Sequence, residues 1–125
     1  MQKSDFVFSE YDDYRFENDV MIIALEEELL SDDIIEYAES VLREYPQKLD
    51  EIAEHLYGEI KDFFGIESES RLKSGLNKPT LNAHIWDGKK SGIFVYCEHD
   101  FDQVHIITLE FDGVLERFSY VGIDG

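Results

Sequence analysis

PTLNAHIWDGKKSGIFVYCEHDFDQVHIITLEFDGVLERFSYVG, the stretch from Pro79 to Gly122, reads as four short strands of an antiparallel meander. Thr80 to Trp86, Gly92 to Glu98, Val104 to Phe111 and Val114 to Val121 alternate or run apolar. They are rich in Ile, Val, Phe, Tyr and Thr, which suit a pleated, half-buried surface. Turn formers separate them. Asp112-Gly113 has the composition of a two-residue hairpin turn, in which glycine supplies positive φ without steric cost. Asp87-Gly88-Lys89-Lys90 and Glu98 to Asp102 read as longer polar connections. Connections this short join antiparallel neighbours, since a parallel pair needs a crossover of roughly a dozen residues or more. Ile93, Val95 and Cys97 share one face and Phe94 and Tyr96 the other, so both faces of the meander are apolar. Helices are expected on one face. The other is expected to be covered by N-terminal strands, to curl around its own core, or to meet a partner.

Upstream, two helices are predicted as the cover. Ser31 is placed to cap the first, with Asp32 and Asp33 complementing the positive end of its dipole. Ile34, Ile35, Ala38, Val41, Leu42 and Tyr45 fall on one side of that helix, and Pro46 is expected to end it and open the next. Leu49, Ile52, Ala53, Leu56, Tyr57, Ile60, Phe63 and Phe64 form the apolar stripe of the second, with Gly65 as its stop. The pair reads as a helical hairpin joined at Pro46. Val20 to Leu25 suits a buried strand, although its periodicity also fits the start of a helix running on through Glu26-Glu27-Glu28; Phe6-Val7-Phe8 suits a short edge strand, Asp12 to Asp19 a loop or turn, and Ile66 to Lys78 a long loop. The expected architecture is one α+β domain over residues 1–125. It comprises a C-terminal four-stranded antiparallel meander with N-terminal strand(s), covered by a two-helix hairpin.

A chain of 125 residues with 43% hydrophobic side chains is large enough to fold without staples, burying roughly 70% of its unfolded surface. No apolar run reaches the length of about 20 residues needed to span a membrane. Met1-Gln2-Lys3-Ser4-Asp5 lacks the pattern of a secretory signal, and a single cysteine makes no internal disulfide, so a cytoplasmic setting is expected. The net charge is −18, and it is uneven: residues 1–70 carry 21 acids against 5 bases, residues 71–125 carry 8 against 6. Nucleic acids and anionic membrane surfaces are disfavoured as partners, because binding them depends on Lys and Arg displacing counterions. A basic protein partner or a cation is compatible with such a surface.

The outward carboxylates of the predicted helices, Asp32, Glu36, Glu39, Glu51, Glu54 and Asp62, form the first candidate site. Glu39 can pair with Arg43 one turn on, but Asp50 and Glu54 are like-charged neighbours, and most of these acids lack a cation three or four residues away. An acidic surface of this kind aids solubility and also steers a basic partner. A small-ligand or divalent-cation site is the alternative, using Glu98, His99, Asp100 and Asp102 near one turn with His84 and Trp86 from the first meander strand. The spacing matches neither a calcium loop nor any zinc signature, so no metal is assigned. Cys97 and His99, two apart, invite a nucleophile–base reading, but an acidic environment opposes a thiolate and a buried structural cysteine is expected. No phosphate loop, nucleophile elbow or dinucleotide fingerprint is present, and neither catalytic residues nor a cofactor are predicted.

The layout is N-terminal strands, a helix capped by Ser31-Asp32-Asp33, a helix carrying Leu49-Asp50-Glu51-Ile52-Ala53, and a meander closing on Phe111-Asp112-Gly113. It resembles small acidic bacterial proteins of unknown function, some related to immunity proteins of polymorphic toxin systems. The resemblance implies a stand-alone domain that acts by binding rather than by catalysis, with a basic toxin or nuclease as the kind of partner to be neutralised. The oligomeric state is left open.

Overall fold

The meander forms the C-terminal part of a seven-stranded sheet in the computed structural model, which describes residues 1–125. The strands are β1 (Val7–Phe8), β2 (Tyr14–Glu17), β3 (Ile22–Leu25), β4 (Thr80–Trp86), β5 (Lys89–Tyr96), β6 (Ile106–Asp112) and β7 (Arg117–Asp124). They lie side by side in chain order. All neighbours are antiparallel except β3 and β4, which run parallel with Ile22 opposite Thr80 and Ala24 opposite Asn82. The crossover between them contains the helices α1 (Asp32–Phe64) and α2 (Glu69–Gly75). The α+β class is as the sequence implies. The N-terminal strands, however, extend the sheet edge to edge and do not fold over its second face. Asp12 to Asp19, expected to be a loop, contains β2, whose Tyr14 and Phe16 pair with Leu25 and Ile23.

The expected helical hairpin is instead one helix of 33 residues with Pro46 inside it. Pro46 removes one backbone hydrogen bond and crowds the preceding turn, at a cost of roughly 3 kcal/mol. Against that stand the buried side chains of α1, which include Ile34, Ile35, Val41, Ile52, Leu56 and Ile60, each aliphatic worth about 1.5–3 kcal/mol. Burial wins. The phase of the stripe does not change at Pro46: Val41, Tyr45, Leu49, Ile52, Leu56 and Ile60 follow a single 3.6-residue period. Ser31 caps the start, its Oγ accepting from the Ile34 N–H at 3.3 Å, and Gly65 closes the end at φ 65°.

Leu81, Phe94, Tyr96, Ile107 and Leu109 alternate onto the covered face of the sheet and are fully buried. Phe94 lies between Tyr45 of α1 (ring centroids 5.0 Å apart, near perpendicular) and Phe111 (4.7 Å). The Tyr45 and Tyr96 hydroxyls bond each other at 2.8 Å, so neither is left unpaired inside the core. Both phenols are held neutral by burial, with Tyr45 pushed up to about 12.

The two Asp-Gly pairs exchange the expected roles. Asp87-Gly88 is the two-residue turn, closing Trp86 on Lys89 with φ values of 52° and 76°, as a type I′ turn requires. Asp112 pairs with Arg117, so Gly113 to Glu116 form a four-residue loop. Leu115 in that loop is buried at positive φ, 57°, and the Gly113 carbonyl accepts from Tyr37 Oη at 2.6 Å. The loop is shaped by docking on α1 together with the positive φ of Gly113, 61°. The stretch Ile66 to Lys78, expected to be a long loop, contains α2. Ser68 caps it through the Arg71 N–H, and Leu72 is buried.

Candidate functional site

The outer side of α1 carries ten carboxylates against three cations. Over a helix about 50 Å long, this is a continuous negative strip. The structure divides the six predicted carboxylates. Glu39 is half-buried and bonds the Met1 amino group at 2.8 Å, which holds its carboxyl below the usual range; Arg43 is not its partner. Glu51 has a loose contact with Lys48 at 3.7 Å. Asp32, Glu36, Glu54 and Asp62 are exposed and form no ion pair; Asp33 and Glu59, outside the predicted set, share that condition. Asp50, the like-charged neighbour of Glu54, is relieved by Lys73 of α2 at 2.6 Å. That contact crosses from one helix to another, so no i,i+4 rule could have found it. Between the two helices, Asp50, Glu51, Glu54 and Glu69 line a shallow groove of about 370 Å³.

The residues of the ligand or cation alternative do not converge. His84 lies in a row with Ser91 and Asp112 on the open face of the sheet, and Trp86 is 83% exposed beside the Asp87-Gly88 turn. From Ser91 to Tyr96 the strand covers about 17 Å, and His99 lies beyond it. No group of three His, Cys, Asp or Glu side chains is placed to share a metal ion. His99 is buried with both ring nitrogens engaged: Nδ1 accepts from the Phe101 N–H at 3.1 Å, so the proton is on Nε2 and is donated to the His105 carbonyl at 2.6 Å. Phe64 and Phe101 pack on its ring. Asp100 accepts from the Asn77 amide at 2.8 Å. These groups secure the end of α1 to the β5–β6 connection; they are fastenings.

Asp102 has a specific part in that connection. Its Oδ1 accepts from the Val104 and His105 N–H groups at 3.0 and 2.9 Å, and its Oδ2 meets His105 Nδ1 at 2.7 Å. These bonds, the His105 backbone N–H first, lower its pKa from 3.8 to about 2. A carboxyl depressed in the folded state stabilises fully above its unfolded pKa and loses that contribution as pH falls through the folded one. Asp102→Asn is therefore expected to be less stable than the parent at pH 7, with the gap closing between about pH 4 and pH 2. Thermal midpoints across that range check it; a gap independent of pH would assign the loss to shape alone.

Cys97 is exposed, not buried as the sequence suggested. It sits one residue past the end of β5 on the open face of the sheet, while His99 turns inward beyond it, so no thiol–imidazole pair forms. Partial burial and Glu98 raise the thiol pKa, opposed by Arg15, and the thiolate is disfavoured. The largest cavity, about 650 Å³, opens instead beside Pro46 between the two helices and the start of β4. Of the predicted site residues only Glu98 lines it; Asp19, Lys73 and Lys78 lacked any motif to mark them. No helix is long and apolar enough to cross a membrane. No protein-family model, curated protein or solved structure is significantly similar to the chain.

Proposed function

We propose that this is a non-enzymatic binding protein whose acidic surface docks a basic protein partner, in the manner of an immunity protein that neutralises a toxin. One observation carries the reading: Asp32, Asp33, Glu36, Glu54, Glu59 and Asp62 stand exposed along α1 without a cation to neutralise them. Repulsion along such a strip raises the energy of the free protein, and a basic partner relieves it while being steered to the surface from a distance. A divalent cation is supported less well, because the candidate ligands are dispersed and His99 has no free nitrogen.

Capture of the partner from cells that naturally express the protein, followed by affinity measurement on the purified pair, tests the reading. Glu36→Lys combined with Glu54→Lys is expected to weaken binding on the order of tenfold or more, and raised salt is expected to weaken the parent complex. Both side chains are solvent-facing, so the folded state should be retained. Affinity indifferent to the reversal and to salt would remove the electrostatic account.

A further inference from the structure

The cavity beside Pro46 has a floor and a rim of different chemistry. Val20, Tyr45, Leu49 and Leu76 supply an apolar floor, and the volume of about 650 Å³ is within the range of clefts that hold drug-sized groups. Lys73 and Lys78 reach the rim, but both are already paired, with Asp50 and Glu17. Asp19 and Glu98, also on the rim, have no ion partner of their own and bear on the Lys78 ammonium from nearby. Asp50 and Glu17, outside the lining, neutralise the two ammonium groups, which leaves Asp19 and Glu98 as the excess charge at the rim. The mouth is therefore negative over an apolar interior. Asn77 holds this rim in place, its amide donating to the Glu98 carbonyl at 2.7 Å and to Asp100 at 2.8 Å.

The cavity also lies on a track. Lys73 lines both it and the acidic groove between α1 and α2. Lys78 and Glu98 line both it and a depression of about 360 Å³ on the open face of the sheet, which Ile22, Val95 and Arg15, itself paired with Asp13, help to form. An extended segment following this course meets the carboxylates of the groove on one side of the socket and Glu98 on the other. We infer that the cavity receives an apolar side chain of a basic peptide segment, whose flanking cations are held at Asp19 and Glu98. This specifies the recognition element of the docking reading and rests on it. An anionic ligand would face uncompensated carboxylates, and a wholly apolar one would leave the rim without a counter-charge.

Two peptide amides, Lys-Leu-Leu-Lys and Lys-Ser-Ser-Lys, titrated into the ¹⁵N-labelled protein at 0.15 M salt, test the inference. The leucine peptide is expected to shift the amides of Val20, Leu49, Leu76 and Asn77 and to bind at least about tenfold more tightly than the serine peptide, from the burial of a leucine side chain. Asp19→Lys with Glu98→Lys is expected to weaken the leucine peptide roughly tenfold while the thermal midpoint is kept, and Leu49→Gln to weaken the leucine peptide alone. Glu36→Lys should leave it within about threefold, since Glu36 lines neither the cavity nor the grooves that adjoin it and stands nine residues before Tyr45 on α1, roughly 13 Å along the helix and beyond a screening length. Equal affinity for the two peptides, or no binding by either, would overturn the cavity assignment and leave the docking reading to the partner affinities. Shifts confined to outer α1 and abolished only by Glu36→Lys would overturn it while upholding docking.

Discussion

Phe94→Ala is expected to cost about 3–5 kcal/mol, enough to bring a domain of ordinary stability close to unfolding. Phe94 is fully buried in the middle of β5, and its ring is gripped from three directions by Tyr45, Tyr96 and Phe111. Truncation opens a void that no neighbour can fill. Tyr45 and Tyr96 hold each other through their hydroxyls, and a collapse toward the gap would break that bond inside the core. Each ring pair that Phe94 forms is worth about 0.5–1.5 kcal/mol beyond area burial, and its removal adds to the cavity term. Urea unfolding read at the midpoint and slope measures the loss. A shift below about 1 kcal/mol would mean that the sheet and α1 close over the gap, which a jigsaw core does not do.

The second large effect runs the other way. Pro46→Ala is expected to stabilise the protein by up to about 3 kcal/mol, because alanine restores the missing N–H and removes the ring from the turn before it. Pro46 is exposed, so no core contact is surrendered. For a chain of this size the thermal midpoint should rise by roughly 10 °C. Calorimetry decides it. A fall would show that the fixed φ of proline serves this helix better than the restored bond. A helix that tolerates this cost beside its largest cavity has kept a bend-prone position where the floor changes from Tyr45 to Leu49.

Much of the fold is legible because one face of each element is buried against the next. The alternation in Leu81, Ala83, Phe94, Tyr96, Ile107 and Leu109 separates the two faces of the meander, and the connections fall where turn formers mark them; which face is covered follows only from the packing of α1. Local signals fail where two readings of the same residues compete. Pro46 both stops helices and opens them; only the unbroken phase of the stripe across it shows that one helix continues. Asp87-Gly88 and Asp112-Gly113 are the same dipeptide, and their difference comes from the apolar Val114-Leu115 that follows the second and is drawn under α1. In β2 the alternation of Tyr14 and Phe16 is visible, but acidic neighbours suggest a loop until β3 supplies a pairing partner. α2 is seven residues long, too short for a period to emerge. For the candidate site, the outward carboxylates follow from helical periodicity alone. The rim formed by Asp19, Glu98 and the ion-paired Lys73 and Lys78 does not, since it is assembled from separate segments of the chain.

The single parallel junction also sets how the chain assembles. Each of the other strand pairs joins neighbours across a short connection, so residues 7–25 and residues 80–124 can zip up on their own. Registering Ile22 to Ala24 beside Thr80 to Asn82 must enclose everything from residue 26 to residue 79, and the entropy of closing that ring is spent before the contact rewards it. An α1 already wound into a rod shortens the tether and carries one apolar stripe that both pieces can grip. The longest closure in the fold thus depends on a common helix that holds both ends of the sheet together.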